Sequence, residues 1–493
     1  MTWVLVQERA ADWPTHMVYS FGGFYSGSMA RVLGASYGSA VFIMSPGGRF
    51  EAFFDADGVA RLEASVLKKV AGEPEFAGQI VSAFQEKIGG FLEYCESLSQ
   101  GGLEEKSAKE LSAMIDEFWA RYEAAYLYSE PFAFAVKDAL ANAAEARVRS
   151  ALAGAGREKE FGKAFALLVS PVEKPFATQE EESLLKILVS IQERGAEKDL
   201  LNGNIGPDSR RLFAAHADEF FWVPFDYAGE VWTQAHFEDS ARTLVLSHFD
   251  AKKRLAEIER YYSGLDERQA ALEYEFALDG PTAAMLSTLR ITGFIMDYKK
   301  ECFTKAHYHY RTLLAAAAKR LGWTLQQAYA ATPVETSAAL LGTDFHPDPN
   351  AVRVLYAKDG VCQMLDGEEA KAFLAREGLA GKAHQPVTEL KGTCACAGTV
   401  RGPAKIIRTA QELGKLKPGD ILVTIMTTPD FVRGMKRAAA IVSDDGGITC
   451  HAAIVSREFG IPCVVGTHSA SKVFFDGDIL EVNASHGVVK KIG

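Results

Sequence analysis

A chain of 493 residues is too long for a single hydrophobic core, so two or three domains are expected. With 48% hydrophobic and 24% charged residues, its composition is that of an ordinary globular protein. The formal net charge of −11 argues against nucleic acid as the main partner, which would call for clustered Lys and Arg, but leaves room for a nucleotide in a local pocket.

At the start, the apolar residues 1–6 give way at once to Gln7, Glu8 and Arg9, so no signal-peptide core is read there. Residues 1–60 read as a mixed N-terminal segment. Within it, 18–27 is aromatic and Gly-rich, and 40–44 predicts a short strand. The run Gly22-Gly23-Phe24-Tyr25-Ser26-Gly27 suggests a phosphate loop only superficially, because such a loop wants a Lys or Arg nearby and this one sits among aromatics. A structural role is the expectation.

From residue 59 to about 341 the pattern is helical, and 61–345 is taken as one helical domain. Residues 105–127 carry apolar positions near helical spacing. Residues 252–274 form a strongly charged stretch with Glu257 and Arg260 three apart. Pro281 suits the first turn of a long helix that reaches about 321, with a break possible inside it, and stops at Gly322. The most apolar stretch, 283–296, is interrupted by Arg290, so no membrane span is expected.

Residues 346–385 form a small hairpin and helix region. Pro and Asp at 346–350 signal a turn, 351–365 reads as two strands around Asp359-Gly360, 367–377 as a helix and 381–385 as a linker. From 386 to 493 the pattern is α/β. Strands are expected at 399–407, 421–426, 438–443, 461–465, 479–482 and 487–491. A helix start is expected at Thr427-Thr428-Pro429, with Asp430 at its positive end, and a helix at 451–459 is stopped by Gly460. The expected fold is therefore multidomain: a mainly α-helical N-terminal region plus a C-terminal α/β domain.

The chemistry concentrates in Gly446-Gly447-Ile448-Thr449-Cys450-His451-Ala452-Ala453-Ile454. Two glycines allow a sharp turn and a close backbone approach to a ligand. A helix start at His451 offers unpaired N–H groups and the positive end of a dipole to a phosphoryl group. Thr449 adds a hydroxyl for a cap or a phosphate oxygen, and Ala452 and Ala453 leave the imidazole uncrowded. An imidazole of ordinary pKa ~6.5 is largely neutral and nucleophilic near pH 7, and once phosphorylated it is a good leaving group. Read locally, the same pattern also fits a core or capping histidine.

Residues 446–466, which continue Val455-Ser456-Arg457-Glu458-Phe459-Gly460-Ile461-Pro462-Cys463-Val464-Val465-Gly466, resemble the phosphohistidine signature of the phosphoenolpyruvate-utilising enzymes. That family includes phosphoenolpyruvate synthase, pyruvate phosphate dikinase, enzyme I of the sugar phosphotransferase system and rifampicin phosphotransferase. Met426-Thr427-Thr428-Pro429-Asp430, Ile441-Val442-Ser443-Asp444 and Gly398-Thr399-Val400-Arg401-Gly402 resemble it as well. The resemblance implies a swivelling domain with His451 as phosphoryl carrier, Thr449 beside it, and Gly446, Gly447 and Cys450 around the phosphate. Cys450 is closer to the synthase branch than to the dikinase branch. Ile448 stands where the synthase pattern has Arg, a residue that is not the carrier, and the Thr449 position is one that can be a regulatory phosphorylation target.

Full enzymes of this family also carry an ATP-grasp domain and a phosphoenolpyruvate barrel. The chain closes at Gly493 soon after the motif, so no barrel is expected to follow; the N-terminal Gly run sits among aromatics and gives way to a helical region, so no ATP-grasp domain is expected either. ATP and Mg2+ are expected on a partner, a separate ATP-grasp protein, with no cofactor or metal bound by this chain. A helical region before a phosphohistidine domain resembles the order in rifampicin phosphotransferase, where the helical part holds the acceptor. His307, His309 and Arg311, near Asp297, Lys299 and Lys300, are the candidates to line a small-molecule acceptor pocket, although a solvated or packed helix face explains them too. The aromatic run 220–227 is a second candidate wall that more often is core. Cys394 and Cys396 form a lone pair, poor as a zinc signal. The seven cysteines are odd in number and scattered, which suits a reduced, cytoplasmic setting. The expected function is that of a phosphotransferase component without its own ATP-grasp or barrel domain. The alternative is a non-catalytic phosphocarrier or regulatory module.

Overall fold

The computed structural model describes residues 1–10, 14–45, 49–131, 135–225, 227–246, 248–379, 388–408, 410–427, 431–444, 451–467 and 469–492. The chain divides into two compact units. One comprises Met1–Pro171, Phe225–Gly229 and Glu267–Gln385; the other comprises Val172–Pro224, Glu230–Asp266 and Pro386–Gly493.

In the first unit, residues 1–60 and 346–385 are not separate bodies. Strands β1 (Trp3–Ala10), β2 (Ser39–Ser45) and β3 (Arg49–Asp55) join β4 (Arg353–Lys358) and β5 (Val361–Asp366) in one antiparallel sheet of order β1-β3-β2-β4-β5. β2 lies at the centre of this sheet, its two edges paired with β3 and β4 and its apolar run buried on both faces. Ala40, Phe42, Phe54 and Leu355 point into the helical core, while Val41, Ile43, Phe53 and Val354 pack on Phe373 and Leu374 of the helix Gly367–Arg376. That alternation is the two-residue period of a strand. β4 and β5 form the expected hairpin: Lys358 pairs with Val361, and Asp359 and Gly360 have φ of 50° and 84°. The N-terminal region is therefore mainly but not wholly helical.

The Gly-rich run after residue 18 is a helix, Thr15–Gly23, followed by one π turn, Phe24–Ser28. Its glycines serve packing. A Cβ on Gly27 would lie 2.6 Å from the Gly360 Cα, so only hydrogen fits against the hairpin. Ser26 seals that contact, accepting from the Gly360 N–H at 3.1 Å and donating to the Gly22 carbonyl at 2.6 Å.

The spine of the unit is the unbroken helix Gly280–Leu321. Its 42 residues span roughly 63 Å at 1.5 Å per residue. Asp279 caps it by accepting from the Thr282 N–H at 2.9 Å, Pro281 sits in the first turn where no N–H is needed, and the helix stops at Gly322. Its apolar stripe, including Leu286, Ile295, Phe303, Tyr310 and Leu314, packs with Phe84 and Phe91 of the helix Phe76–Leu98 and with Phe118 and Trp119 of the helix Ala108–Ser129. The latter begins with a capping box between Ser107 and Glu110. The charged stretch near 260 is two helices, Ala251–Tyr262 and Leu265–Glu275, parted at Gly264, and the boundary between the units follows at Asp266.

The second unit has a helical part and a sheet. Helices Phe176–Glu193, Pro207–Phe220, Gln234–Leu246 and Ala251–Tyr262 bury Leu185, Leu188, Phe213, Trp222, Phe237 and Leu244 among themselves. The Arg254 guanidinium grips the Glu181 carboxylate through two bonds of 2.7 and 2.9 Å inside this core. The sheet has eight strands: β6 (Glu389–Lys391), β7 (Thr393–Cys396), β8 (Thr399–Ile406), β9 (Ile421–Thr424), β10 (Ala440–Ser443), β11 (Cys463–Val465), β12 (Ile479–Asn483) and β13 (Val488–Lys491). Their order is β6-β13-β12-β8-β9-β10-β11-β7. The central β8-β9-β10-β11 run is parallel and the flanking pairs are antiparallel. Ile421, Val423, Ala440 and Val442 fill one face and Leu422, Ile441, Cys463 and Val465 the other, as expected of a parallel sheet covered on both sides. No helix among the described residues is long and apolar enough to cross a membrane.

Candidate functional site

His451 is the first residue of the helix His451–Phe459, which runs from the carboxyl end of β10 back to β11. The carboxyl ends of parallel strands are where open α/β sheets receive ligands, and the first turn of a helix presents free N–H groups there. Gly446, Gly447, Ile448, Thr449 and Cys450 lie outside the described residues, as do Thr428, Pro429 and Asp430 of the expected helix start. The described helix after that point is the single turn Val432–Met435.

Ala452 and Ala453 are fully buried, in one core cluster with Ile441, Cys463 and Val465 of the sheet. Their small size lets the helix lie close on β10 and β11. Ser456 returns its hydroxyl to the Ala452 carbonyl at 2.6 Å, and the helix ends at Gly460, whose φ of 65° permits the Ile461 N–H to reach the Ser456 carbonyl at 2.9 Å.

The end of β10 is held by Asp444, a buried carboxylate directly after the strand. Its oxygens accept from the Ser471 N–H at 3.1 Å, from the Ser471 hydroxyl, and from the Thr467 hydroxyl at 3.2 Å. Its own N–H donates to the Thr424 carbonyl at 3.0 Å, tying it to the end of β9. The Thr467 N–H donates to the Ser443 carbonyl at 3.1 Å, and the single proton of its hydroxyl is shared between that carbonyl at 3.0 Å and Asp444. A buried carboxylate satisfied this fully stiffens the strand ends on either side of it. Sequence reasoning noted Asp444 only as part of a resembling strand end. Thr467 and Ser471 carried no signal of their own, because their role exists only once the turn after β11 folds back onto β10.

Fold and site define an α/β domain in which a helix starts at a histidine shortly after the end of a parallel strand. Residues 416–487 match the family described as PEP-utilising enzyme, mobile domain, and the C-terminal region of the chain carries that domain. A probable phosphoenolpyruvate synthase of Methanothermobacter thermautotrophicus is 54% identical over 100 residues, which are 20% of this chain and 15% of that protein. The phosphoenolpyruvate synthase of Pyrococcus furiosus is 56% identical over 102 residues, 21% of this chain and 12% of that one. The uncharacterized phosphotransferase YvkC of Bacillus subtilis is 48% identical over 98 residues, 20% and 12%. The similarity thus spans 12–15% of the length of these relatives.

The three residues proposed on the long helix do not converge. His307 is buried; His309 turns to the Ser99 hydroxyl, 2.8 Å from its Nδ1; Arg311 is exposed. Positions 307 and 311 are close in helical angle, but the packing boundary falls between them. Of the aromatic run, Trp222 packs on Phe176 in the second unit's helical core, whereas Phe225 meets Tyr308 and Tyr227 meets the His307 ring in the first unit. Asp226 lies outside the described residues.

The partner of His307 is a residue that sequence reasoning did not single out, His16 of the helix Thr15–Gly23. The two rings stack at 5.7 Å and 18°. His307 Nδ1 donates to the Phe303 carbonyl at 2.8 Å, which leaves its Nε2 without a proton and, like both His16 ring nitrogens, buried without a hydrogen-bond partner among the described residues. Each unmet buried polar atom costs about 1–3 kcal/mol, and such atoms in native proteins call for an explanation. Burial, with the His307 ring beside it, holds His16 well below the usual histidine range. Burial lowers His307 to about 4 despite its bond to the carbonyl. Both are neutral imidazoles at physiological pH. A lone histidine at residue 16 has no motif around it, so only packing identifies it.

Among the described residues no group of three His, Cys, Asp or Glu side chains is arranged to hold a metal ion. Cys394 and Cys396 lie on the edge strand β7, paired with β11.

Proposed function

We propose that this chain is a phosphotransferase component in which His451 accepts a phosphoryl group and passes it to a small-molecule acceptor bound in the helical region. The observation that carries this reading is the start of a helix at His451, at the carboxyl ends of parallel strands and inside a segment matching the mobile domain. In the first step an imidazole nitrogen bonds to phosphorus as the donor oxygen leaves. In the second, an acceptor oxygen bonds to phosphorus and the P–N bond breaks, returning its electron pair to the ring. Thr449, Cys450 and the amides of Gly446 and Gly447 bind the phosphoryl oxygens in this scheme, and Asp444 anchors the strand end that precedes them in the chain. Each transfer depends mainly on positioning and charge neutralisation.

ATP and Mg2+ are assigned to a separate ATP-grasp protein. The support is that the one Gly-rich run near the N-terminus, 22–27, is spent on packing against the β4–β5 hairpin. The names of the relatives, phosphoenolpyruvate synthase and phosphotransferase, agree with this class of reaction. A reduced, cytoplasmic setting is part of the same proposal.

The test incubates the protein with labelled ATP, Mg2+ and a candidate ATP-grasp protein, with labelled phosphoenolpyruvate as a parallel arm. Acid-labile, base-stable label on His451 is expected, absent from His451→Ala. Label that persists in His451→Ala would sink the assignment. A stable complex with label but no ATP-dependent consumption of any metabolite would favour the non-catalytic carrier instead.

A further inference from the structure

We infer that Cys396 and Cys463 form a reversible disulfide, a staple between the edge strand β7 and its neighbour β11 that closes when the surroundings turn oxidising. The inference stands apart from the role of His451.

The two residues are distant in sequence and directly opposite in the sheet. Cys396 pairs with Cys463 across the antiparallel β7–β11 ladder. Opposite residues of such a pair have Cα atoms roughly 4.5–5.5 Å apart, inside the roughly 4.4–6.8 Å that a disulfide spans. Their side chains also share a face. Cys463 belongs to the core cluster of Ala452, Ala453 and Val455, and Cys396 packs against that same cluster. Both are thiols in this structure.

A bulge selects Cys396 over its neighbour. The register shifts between Cys463 and Val464, so that Cys396 faces Cys463, Cys394 faces Val464, and Ala395 is the extra residue between them. Val464 belongs to the core cluster on the other face of the sheet, which sets Cys394 apart from Cys463.

Access is graded along the pair. Cys396 is partly exposed on an edge strand, whereas Cys463 is fully buried behind it. An oxidant therefore meets Cys396 first, and Cys463 resolves the product. With a small-molecule disulfide as oxidant, the Cys396 thiolate sulfur bonds to one sulfur of the oxidant and expels the other as a thiolate. The Cys463 sulfur, its proton passed to solvent, then bonds to Cys396 Sγ and expels the remaining half. The two cysteines lose two electrons and two protons, and the oxidant ends as two thiols. The cysteines of the first unit are poor rivals. Burial pushes the thiols of Cys95, Cys302 and Cys362 up, Cys302 to about 12 and Cys362 to about 11, so little thiolate forms there. In a reduced compartment such a bridge is transient and reports the redox state. While closed, it ties a long loop and restricts the unfolded chain.

The experiment incubates the whole protein with oxidised glutathione, alkylates the remaining thiols after denaturation, and maps the peptides. Reduced protein should alkylate at all seven cysteines and oxidised protein at two fewer, with a Cys396–Cys463 peptide that dithiothreitol opens. The thermal midpoint should rise by about 3 °C or more on oxidation and fall back on reduction. Cys396→Ser and Cys463→Ala should each lose both the bridge and the shift, while Cys394→Ser keeps them. His451→Ala should also keep them, so failure of the carrier reading and failure of this one are separable. No bridge under oxidised glutathione, a bridge from Cys463 to Cys394 or Cys450, or a midpoint shift that survives Cys396→Ser would overturn the inference.

Discussion

In the C-terminal sheet the residues proposed for chemistry lie in one short run, 444–451, threaded between a strand end and a helix start. In the first unit, His16 and His307 come from the first helix and from the middle of the longest one, and meet only because Trp119, Tyr122, Tyr227 and Tyr329 pack around them. A covalent carrier needs a particular backbone, and a turn followed by a helix N-terminus is encoded by adjacent residues. A packed aromatic cluster needs only complementary surfaces, which distant elements supply once the core condenses.

The sharpest way to break this contrast is at the carrier. His451→Ala should abolish phosphoryl labelling outright, measured by acid-labile label on the intact chain, because no neighbouring side chain in the run substitutes for an imidazole nucleophile. Retained label would make the local run a structural feature like any other.

Asp444→Ala tests whether the run depends on its buried anchor. It leaves the Ser471 N–H and hydroxyl without their acceptor, while the Thr467 hydroxyl keeps the Ser443 carbonyl, and should cost about 3 kcal/mol in denaturant unfolding of the second unit. Asp444→Asn, which keeps an acceptor, should cost about half of that. A loss under 1 kcal/mol would mean that the strand ends hold themselves.

The imidazole pair has an acid signature of similar size. Burial lowers His307 to about 4 and holds His16 well below the usual range, so the unfolded chain binds more protons than the folded one as pH falls below ~6.5. Stability should therefore decline from ~6.5 down to the folded-state values. His307 alone accounts for about 3 kcal/mol of that decline by pH 4. His307→Phe should flatten the decline; an unchanged slope would place the acid sensitivity elsewhere.

The smallest effect is expected where the Gly-rich run meets the hairpin. Gly27→Ala sets a methyl 2.6 Å from the Gly360 Cα and should destabilise the first unit by about 1–3 kcal/mol without altering His451 labelling. Loss of labelling with the fold intact would restore a phosphate role to that run.

By itself the sequence determined most of what depends on near neighbours. The Asp359-Gly360 hairpin, the start of the long helix after Asp279, its stop at Gly322, and the helix from His451 to Phe459 were all legible from caps, turns and periodicity. So was the mobile-domain segment. The tertiary structure alone decided that residues 1–60 and 346–385 share a sheet, that His309 turns to Ser99 while Arg311 is left exposed, and that His16 stacks on His307. Helical spacing says which residues share a face but not which part of that face the core covers. Strand pairing between distant segments is set by the total apolar surface each strand must bury. Neither quantity exists until the rest of the chain is in place.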